Sequence, residues 1–434
     1  MRLVRRIAVV CVLVTGVAVC AAAQLEQNRS TWTEIRDRFR ATNPTIQAGQ
    51  IGIEESKATE ITAFFRVNPQ CGMTLDQIGN TASTPDNPAN IFSASNLVGN
   101  CSYLHEREQK RELRRDSARG ATAIATSVQA DLERNLLFTL RSAFIQVLHA
   151  KAFRMLAQEN LTNYDRVLRL SRDRFQAGDI AQIDLDRLEL QRVTYESDVQ
   201  TAEVNLRTAK IQLLRLLNDQ TTPVDQFDIS GPFDFVAPPQ TLDELRRAAT
   251  DTRPDLRASL QGIDKAKTDY RLAFANGSTD PSFSVDAGFP VISQAFQSYQ
   301  PPLREYVGVG VGVPLRIFDR NQGEKLRTQL DITRNERLAD AARLQVFADV
   351  DTAYASVIST VTLLQPYRDR YLDQTTRVRD TVTFSYQRGG VSLVDFLQAQ
   401  QEYRSVQVSY VNLVAAFLNA VNQLNLAVGR EVIP

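Results

Sequence analysis

The 434-residue chain is poor in the side chains that most often do chemistry. It has two histidines, His105 and His149, four cysteines and one tryptophan. It has no H-E-x-x-H, no cysteine pair at zinc spacing, and no phosphate- or dinucleotide-binding glycine pattern. Its many carboxylates lie on charged helix faces, where solvation explains them. The expectation is therefore no catalysis, no metal site and no cofactor. Net charge is missing too. With 50 basic and 50 acidic residues, the chain offers nucleic acid no field to follow. Beyond the N-terminal region, no apolar run reaches the roughly 18–20 residues of a spanning helix. Any entry into a membrane has to use strands.

The N-terminus is what a secreted chain requires. Arg2, Arg5 and Arg6 precede an apolar run from Ile7 to Val19, then Ala21-Ala22-Ala23. This reads as a signal peptide over residues 1–23, too short to span a bilayer. Its removal leaves 47 basic against 50 acidic residues. Cys20 keeps lipid attachment open, although Val17-Ala18-Val19 favours ordinary cleavage. The mature chain holds Cys71 and Cys101, which flank the polar stretch TPDNPAN in or near an outward loop. In an oxidising compartment they form a disulfide or remain two separate thiols.

An internal repeat organises the rest. The decapeptide from Phe175 to Asp184 resembles that from Tyr386 to Asp395 at an offset of 211. In the second copy, Ala399, Tyr403, Val406, Tyr410, Leu413, Phe417, Ala420, Leu424 and Ala427 alternate steps of four and three. In the first, Leu188, Tyr195, Val199, Ala202, Leu206, Ala209, Leu213 and Leu216 do the same, with Arg192 intruding. Such a period of 3.5 is a coiled-coil seam. Upstream, Asn43-Pro44 and Arg253-Pro254 open helices 210 apart. Between Arg107 and Gln176 there is no proline and only Gly120, so a helix on the order of 100 Å is expected. Gly178 and Gly389 break the long helices into antiparallel hairpins, and Pro366 is placed to kink the second. The segments are a first repeat over 24–218, a linker over 219–252 and a second repeat over 253–430.

The clearest strands lie in the second repeat, in a hairpin over about 281–317. Val307, Val309, Val311 and Val313 alternate with glycines, and Phe283, Val285 and Ala287 alternate likewise. Each run has the 9–11 residues of a tilted membrane strand. The intervening loop, with Gln294, Gln297, Gln300, Pro301 and Pro302, is polar. A weaker hairpin over about 65–104 is its counterpart. Four strands cannot close a barrel, so membrane strands would require an oligomer.

The tips FQAGDIAQIDL and YQRGGVSLVDFLQAQ resemble the repeated hairpin signature of the TolC-like outer-membrane factor family. RPDLRASLQGIDKAK, VGVGVGVPLRIFDRNQGE and the terminal LNLAVG follow in that family's order. The run from Val313 to Gly323, with Lys110-Arg111 and Leu113-Arg114, is most similar to the heavy-metal efflux branch. The resemblance implies a mainly α fold with membrane β structure. Long antiparallel coiled-coil helices would form an α-barrel, and each chain would give four strands to a trimeric 12-stranded β-barrel in the outer membrane. It implies a passive duct reaching into the periplasm, coupled through a periplasmic adaptor to an inner-membrane pump, with heavy-metal cations or drugs as cargo. Gly178, Asp179, Ile180, Ala181, Gly389, Gly390, Val391 and Ser392 would meet the adaptor. It also places a gating carboxylate at Asp395, with Asp184 as its repeat mate and Arg388 or Arg404 as a basic partner. The competing reading is a periplasmic coiled-coil scaffold outside any membrane.

Overall fold

The computed structural model describes residues 29–79, 94–236, 240–290 and 305–433. The signal region with Cys20, the stretch 84–90 and the loop 294–302 lie outside the described residues. In chain order the elements are β1 (Arg29–Ser30), α1 (Trp32–Thr42), α2 (Pro44–Phe64), β2 (Gln70–Gly79), β3 (Ala94–Leu104), α3 (Lys110–Gln176), α4 (Gln182–Leu216), β4 (Asp228–Ile229), α5 (Leu242–Thr252), α6 (Pro254–Asn276), β5 (Ser282–Pro290), β6 (Tyr306–Gly312), α7 (Gln322–Pro366), a π-helical turn (Tyr367–Tyr371), α8 (Leu372–Gln387) and α9 (Leu393–Val428). They fall into two compact units, and each sequence repeat contributes to both.

One unit comprises Ile51–Ser127 and Arg257–Ala341. Its antiparallel sheet runs β2-β3-β5-β6, so the two hairpins lie side by side. The register puts Met73, Leu75, Leu97, Phe283, Val285, Val307, Val309 and Val311 on one face. Most of these are exposed, Val309 to 85%. The other face carries Thr74, Asn100, Ser102, Ser282, Ser284, Asp286 and glycines, and the Asn100 amide donates to the Asp286 carboxylate. Val313 lies one residue past β6. The start of α3 is tied to the start of β5 by Lys110, which is buried. Its ammonium donates to Asp280 at 2.5 Å and to the Ser278 carbonyl at 3.0 Å. Burial raises the Asp280 pKa, but the Lys110 hydrogen bond and charge outweigh it and hold the carboxyl below its ordinary value.

The other unit comprises the described residues up to Gln50 with Val128–Leu256 and the chain from Ala342. Here the duplication is plainest in two short helices. Thr31 and Thr241 each cap a helix start, accepting from the N–H of Glu34 or Glu244, whose carboxylates accept from the capping residue's own N–H. Both helices, α1 and α5, stop before Pro44 and Pro254, which cannot donate a hydrogen bond to extend them. They bury Ile35 and Phe39, and Leu245 and Ala249, against the first-repeat and second-repeat cores. The span 219–252, expected as linker, thus holds a helix. It also holds β4, whose pairing with β1 is fastened by Asp228 accepting from Lys151 at 2.7 Å and lying 3.3 Å from Arg29.

The seam of α4 is buried where the heptad pattern puts it, at Leu188, Tyr195, Val199, Ala202, Leu206, Ala209 and Leu213, while Leu216 is half-buried. Arg192, the intruder, reaches outward to Asp165 at 2.5 Å. In α9 the seam drifts. Ala399, Tyr403, Phe417, Leu424 and Ala427 are buried as expected, but Leu413 and Ala420 are only half-buried, and Val414, Val421 and Val428 are buried beside the expected stripe. A straight helix of 3.6 residues per turn slips about 20° per heptad against a 3.5 repeat, which moves the buried stripe one position along. Pro366 marks the point where α7 gives way to the π-helical turn before α8.

Cys71 and Cys101 are disulfide-bonded. They are direct cross-strand partners near the start of β2 and the end of β3, at the helix end of the hairpin. The strands extend past the cysteines towards the stretch 84–90 that they flank, which lies outside the described residues. The bond closes a separation of 30 residues, which in the chain-entropy estimate is worth about 3–4 kcal/mol. Alkylation of the purified, unreduced protein should leave both cysteines unlabelled until reductant is added, and Cys71→Ser should lower the denaturant midpoint. Labelling of both without reductant would show that the bond is absent.

Candidate functional site

The two long hairpins turn through glycine in the same way. Gly178 takes φ +84° and Gly389 φ +73°, left-handed values that a Cβ disfavours. At the first tip, Asp179 N–H donates to the Arg174 carbonyl at 2.9 Å and Gly178 N–H to that of Phe175 at 3.0 Å. At the second, Gly390 N–H donates to Ser385 at 2.8 Å and Gly389 N–H to Tyr386 at 3.0 Å. Each is a Schellman closure that satisfies helix-end carbonyls.

The following helices begin differently. Ser392 caps α9: its hydroxyl accepts from Asp395 N–H at 3.2 Å and donates to the Asp395 carboxylate at 2.7 Å. Ala181 begins α4 with no side-chain cap. Between the tips lies a shared core of Tyr164, Leu168, Leu188, Tyr195, Tyr386 and Phe396. Tyr164 stacks on Tyr195 at 4.6 Å and Tyr386 on Phe396 at 4.7 Å. The Tyr164 hydroxyl donates to the Leu188 carbonyl at 2.9 Å, and burial pushes its phenol well above the usual range.

Asp179, Ala181, Gly389, Gly390 and Ser392 are exposed, whereas Ile180 and Val391 pack against the shared core. Asp184 faces a 350 Å³ cleft between the tips, lined also by Arg174, Arg187, Tyr386 and Val391. Asp395 is exposed and held by Ser392. Within this chain, the two basic residues expected as its partners make other contacts. Arg388 lies over the Phe384 ring at 3.6 Å, and Arg404 pairs with Asp198. Arg404 sits more than two helical turns from the tip, where α4 and not the turn is its neighbour. Sequence reasoning missed Arg174, which donates to the Tyr386 carbonyl at 2.8 Å and so joins the tips. A cation in the last turn of α3 was the only available signal.

The outer membrane efflux protein family model matches residues 245–430. Over those residues, rather less than half of its length, the chain is similar to this family. Among curated relatives it is similar to the pyoverdine export outer membrane protein OpmQ of Pseudomonas aeruginosa, 26% identical over 69% of this chain and 62% of that protein. It thus aligns with less than two thirds of that relative. It is also similar to the cobalt-zinc-cadmium resistance protein CzcC of Cupriavidus metallidurans, 22% identical over 74% of each. Its fold matches the crystal structure of the outer membrane protein VceC from Vibrio cholerae, with a TM-score of 0.71 and 14% identity, covering 92% of this chain and 96% of that one. The efflux family fold is the TolC-like one, mainly helical with a β contribution. The matching family, OpmQ and VceC are all named as outer membrane proteins.

The tip geometry gives a backbone test. A Cβ at Gly389 would meet only the Arg174 guanidinium, at 4.0 Å, so Gly389→Ala costs conformation alone, about 1–2 kcal/mol. Amide exchange around the second tip should speed up about 5–30-fold. Gly390→Ala, without a positive φ and at 3.5 Å from its nearest neighbour, should leave exchange nearly unchanged.

Proposed function

We propose that the chain is one of three identical subunits of a passive outer-membrane export channel, coupled through a periplasmic adaptor to an inner-membrane pump. The observation that carries this is the sheet. One face is apolar and exposed, the other polar and small, and β2 and β6 each have a side with no strand beside it among the described residues. Lipid suits the apolar face, while hydrocarbon tolerates no open edge. Three four-stranded sheets joined β6 to β2 make a closed twelve-stranded barrel with a polar lumen. A periplasmic scaffold would leave Val307, Val309 and Val311 in water for no return.

The repeat supplies a register for that junction. Asn68-Pro69 leads into β2 as Asp280-Pro281 leads into β5, an offset of 212 that keeps each residue on its face. Gly99 pairs with Met73 inside its hairpin and with Ala287 beyond it. The corresponding residue is Val309, which pairs with Val285. Its outer neighbour is then Leu75 of the next subunit. Oxidation of the double variant Leu75→Cys, Val309→Cys in outer-membrane vesicles should give a disulfide-linked trimer. A monodisperse monomer that keeps its strands in detergent would overturn the architecture.

The tips around Gly178 and Gly389 are the adaptor contact in this reading, supported by the exposure of Asp179, Ala181, Gly390 and Ser392. Cargo has two supports. Similarity to CzcC, a cobalt-zinc-cadmium resistance protein, favours heavy-metal cations, and similarity to OpmQ, a pyoverdine export protein, favours a small molecule. Asp395 lines the resting constriction, where three fixed carboxylates would hold a cation. Asp395→Ala should abolish block of single-channel conductance by trivalent cations. Unchanged conductance and block would remove Asp395 from the pore.

A further inference from the structure

A cavity of 460 Å³ lies among α1, α3 and the C-terminal end of α9, remote in sequence from the tips and the strands. α1 turns Trp32, Arg36 and Arg40 towards it, four residues apart and so on one helix face, with Ile35 and Phe39 buried on the adjoining side. Its floor is apolar, formed by Leu137 and Phe138 of α3 and Leu426 of α9. Its rim is cationic.

The cations differ in what they already hold. Arg40 pairs with Glu133 at 2.6 Å, and Arg134 pairs with Asp131 at 2.6 Å while capping the Leu426 carbonyl. Both serve the fold. Arg141 does not. Its guanidinium lies 4.5 Å from the centre of the Trp32 ring and 5.9 Å from that of Phe144. Among the described residues, no carboxylate stands within ion-pair distance of Arg141 or of the exposed Arg430. The carboxylate whose charge Arg141 feels, Glu431, accepts instead from the Trp32 indole N–H at 3.0 Å. Burial lowers the Arg141 pKa, the mark of a cation with too little negative charge near it.

We infer that this cavity binds an organic oxyanion, whose carboxylate or phosphate meets Arg141 and Arg430 while its hydrocarbon part rests on Leu137, Phe138 and Leu426. Stacking on an indole holds a guanidinium flat and leaves its N–H edge free, the geometry that receives two oxygens of one anion. A concave apolar floor with a few convergent polar groups is the usual form of a small-molecule site. The inference does not depend on the channel reading.

The chain contains its own reporter, because Trp32 in the cavity wall is its one tryptophan. Emission from the full-length protein in detergent is followed while citrate or glycerol phosphate is added, with sodium chloride at matched ionic strength as control. A saturable change with citrate assigns a carboxylate site, and one with glycerol phosphate a phosphate site. Arg141→Gln and Arg430→Gln should each weaken it about tenfold or more, the loss of one charge-assisted hydrogen bond. Arg430→Gln removes no ion pair or side-chain hydrogen bond among the described residues, so its effect reads on binding even where Arg141→Gln disturbs packing. No emission change beyond the salt control with either probe, or unaltered binding in Arg430→Gln, overturns the site.

Discussion

An unpaired strand edge is a row of N–H and C=O groups, and hydrocarbon offers them no partner. Among the described residues, the sheet ends in two such edges. A helical bundle could bury its core within one chain. A four-stranded sheet with one apolar and one polar face is finished only by more strands, and the duplication supplies matching ends. The Lys110–Asp280 pair and the Cys71–Cys101 bond both sit where strands meet helices. The first ties the start of a long helix to the residues before β5, and the second joins β2 to β3.

What was legible in the sequence was whatever repeats with a short period. The seam of α4 is buried at the positions its heptads name, because a 3.5 repeat constrains each side chain in turn. The valine–glycine alternation of β6 is equally direct. The first hairpin was faint because glycines, cysteines and asparagines interrupt the alternation, and register with β5 decides its faces more than its own residues do. α1 and α5 escaped notice for a different reason. Each has eleven residues and two core side chains, too few to establish a period. Their matched Thr-x-x-Glu starts at Thr31 and Thr241, each followed by a proline that ends the helix, were the readable trace.

At the tips, the glycines were legible because a left-handed turn leaves few alternatives, and the positive φ values at Gly178 and Gly389 agree. The pairings were not. Arg404 meets Asp198 and Arg174 meets the Tyr386 carbonyl across helices more than 200 residues apart in sequence. Such contacts depend on how two hairpins are rotated against each other, which a period on one helix does not reveal. The drift of the α9 seam from Leu413 to Val414 is the same limit within a single element.

The two tips share their turn but not their footing. α9 starts from a capping box closed by Ser392 and Asp395, while Ala181 leaves the first N–H groups of α4 without a side-chain acceptor. A missing cap lowers the stability of a first helical turn by about 1 kcal/mol. The duplicated hairpins have therefore become one firm jaw and one compliant jaw. In the trimer proposed above, firm and compliant would alternate, so a load applied evenly to all six tips would be taken up first at every second one.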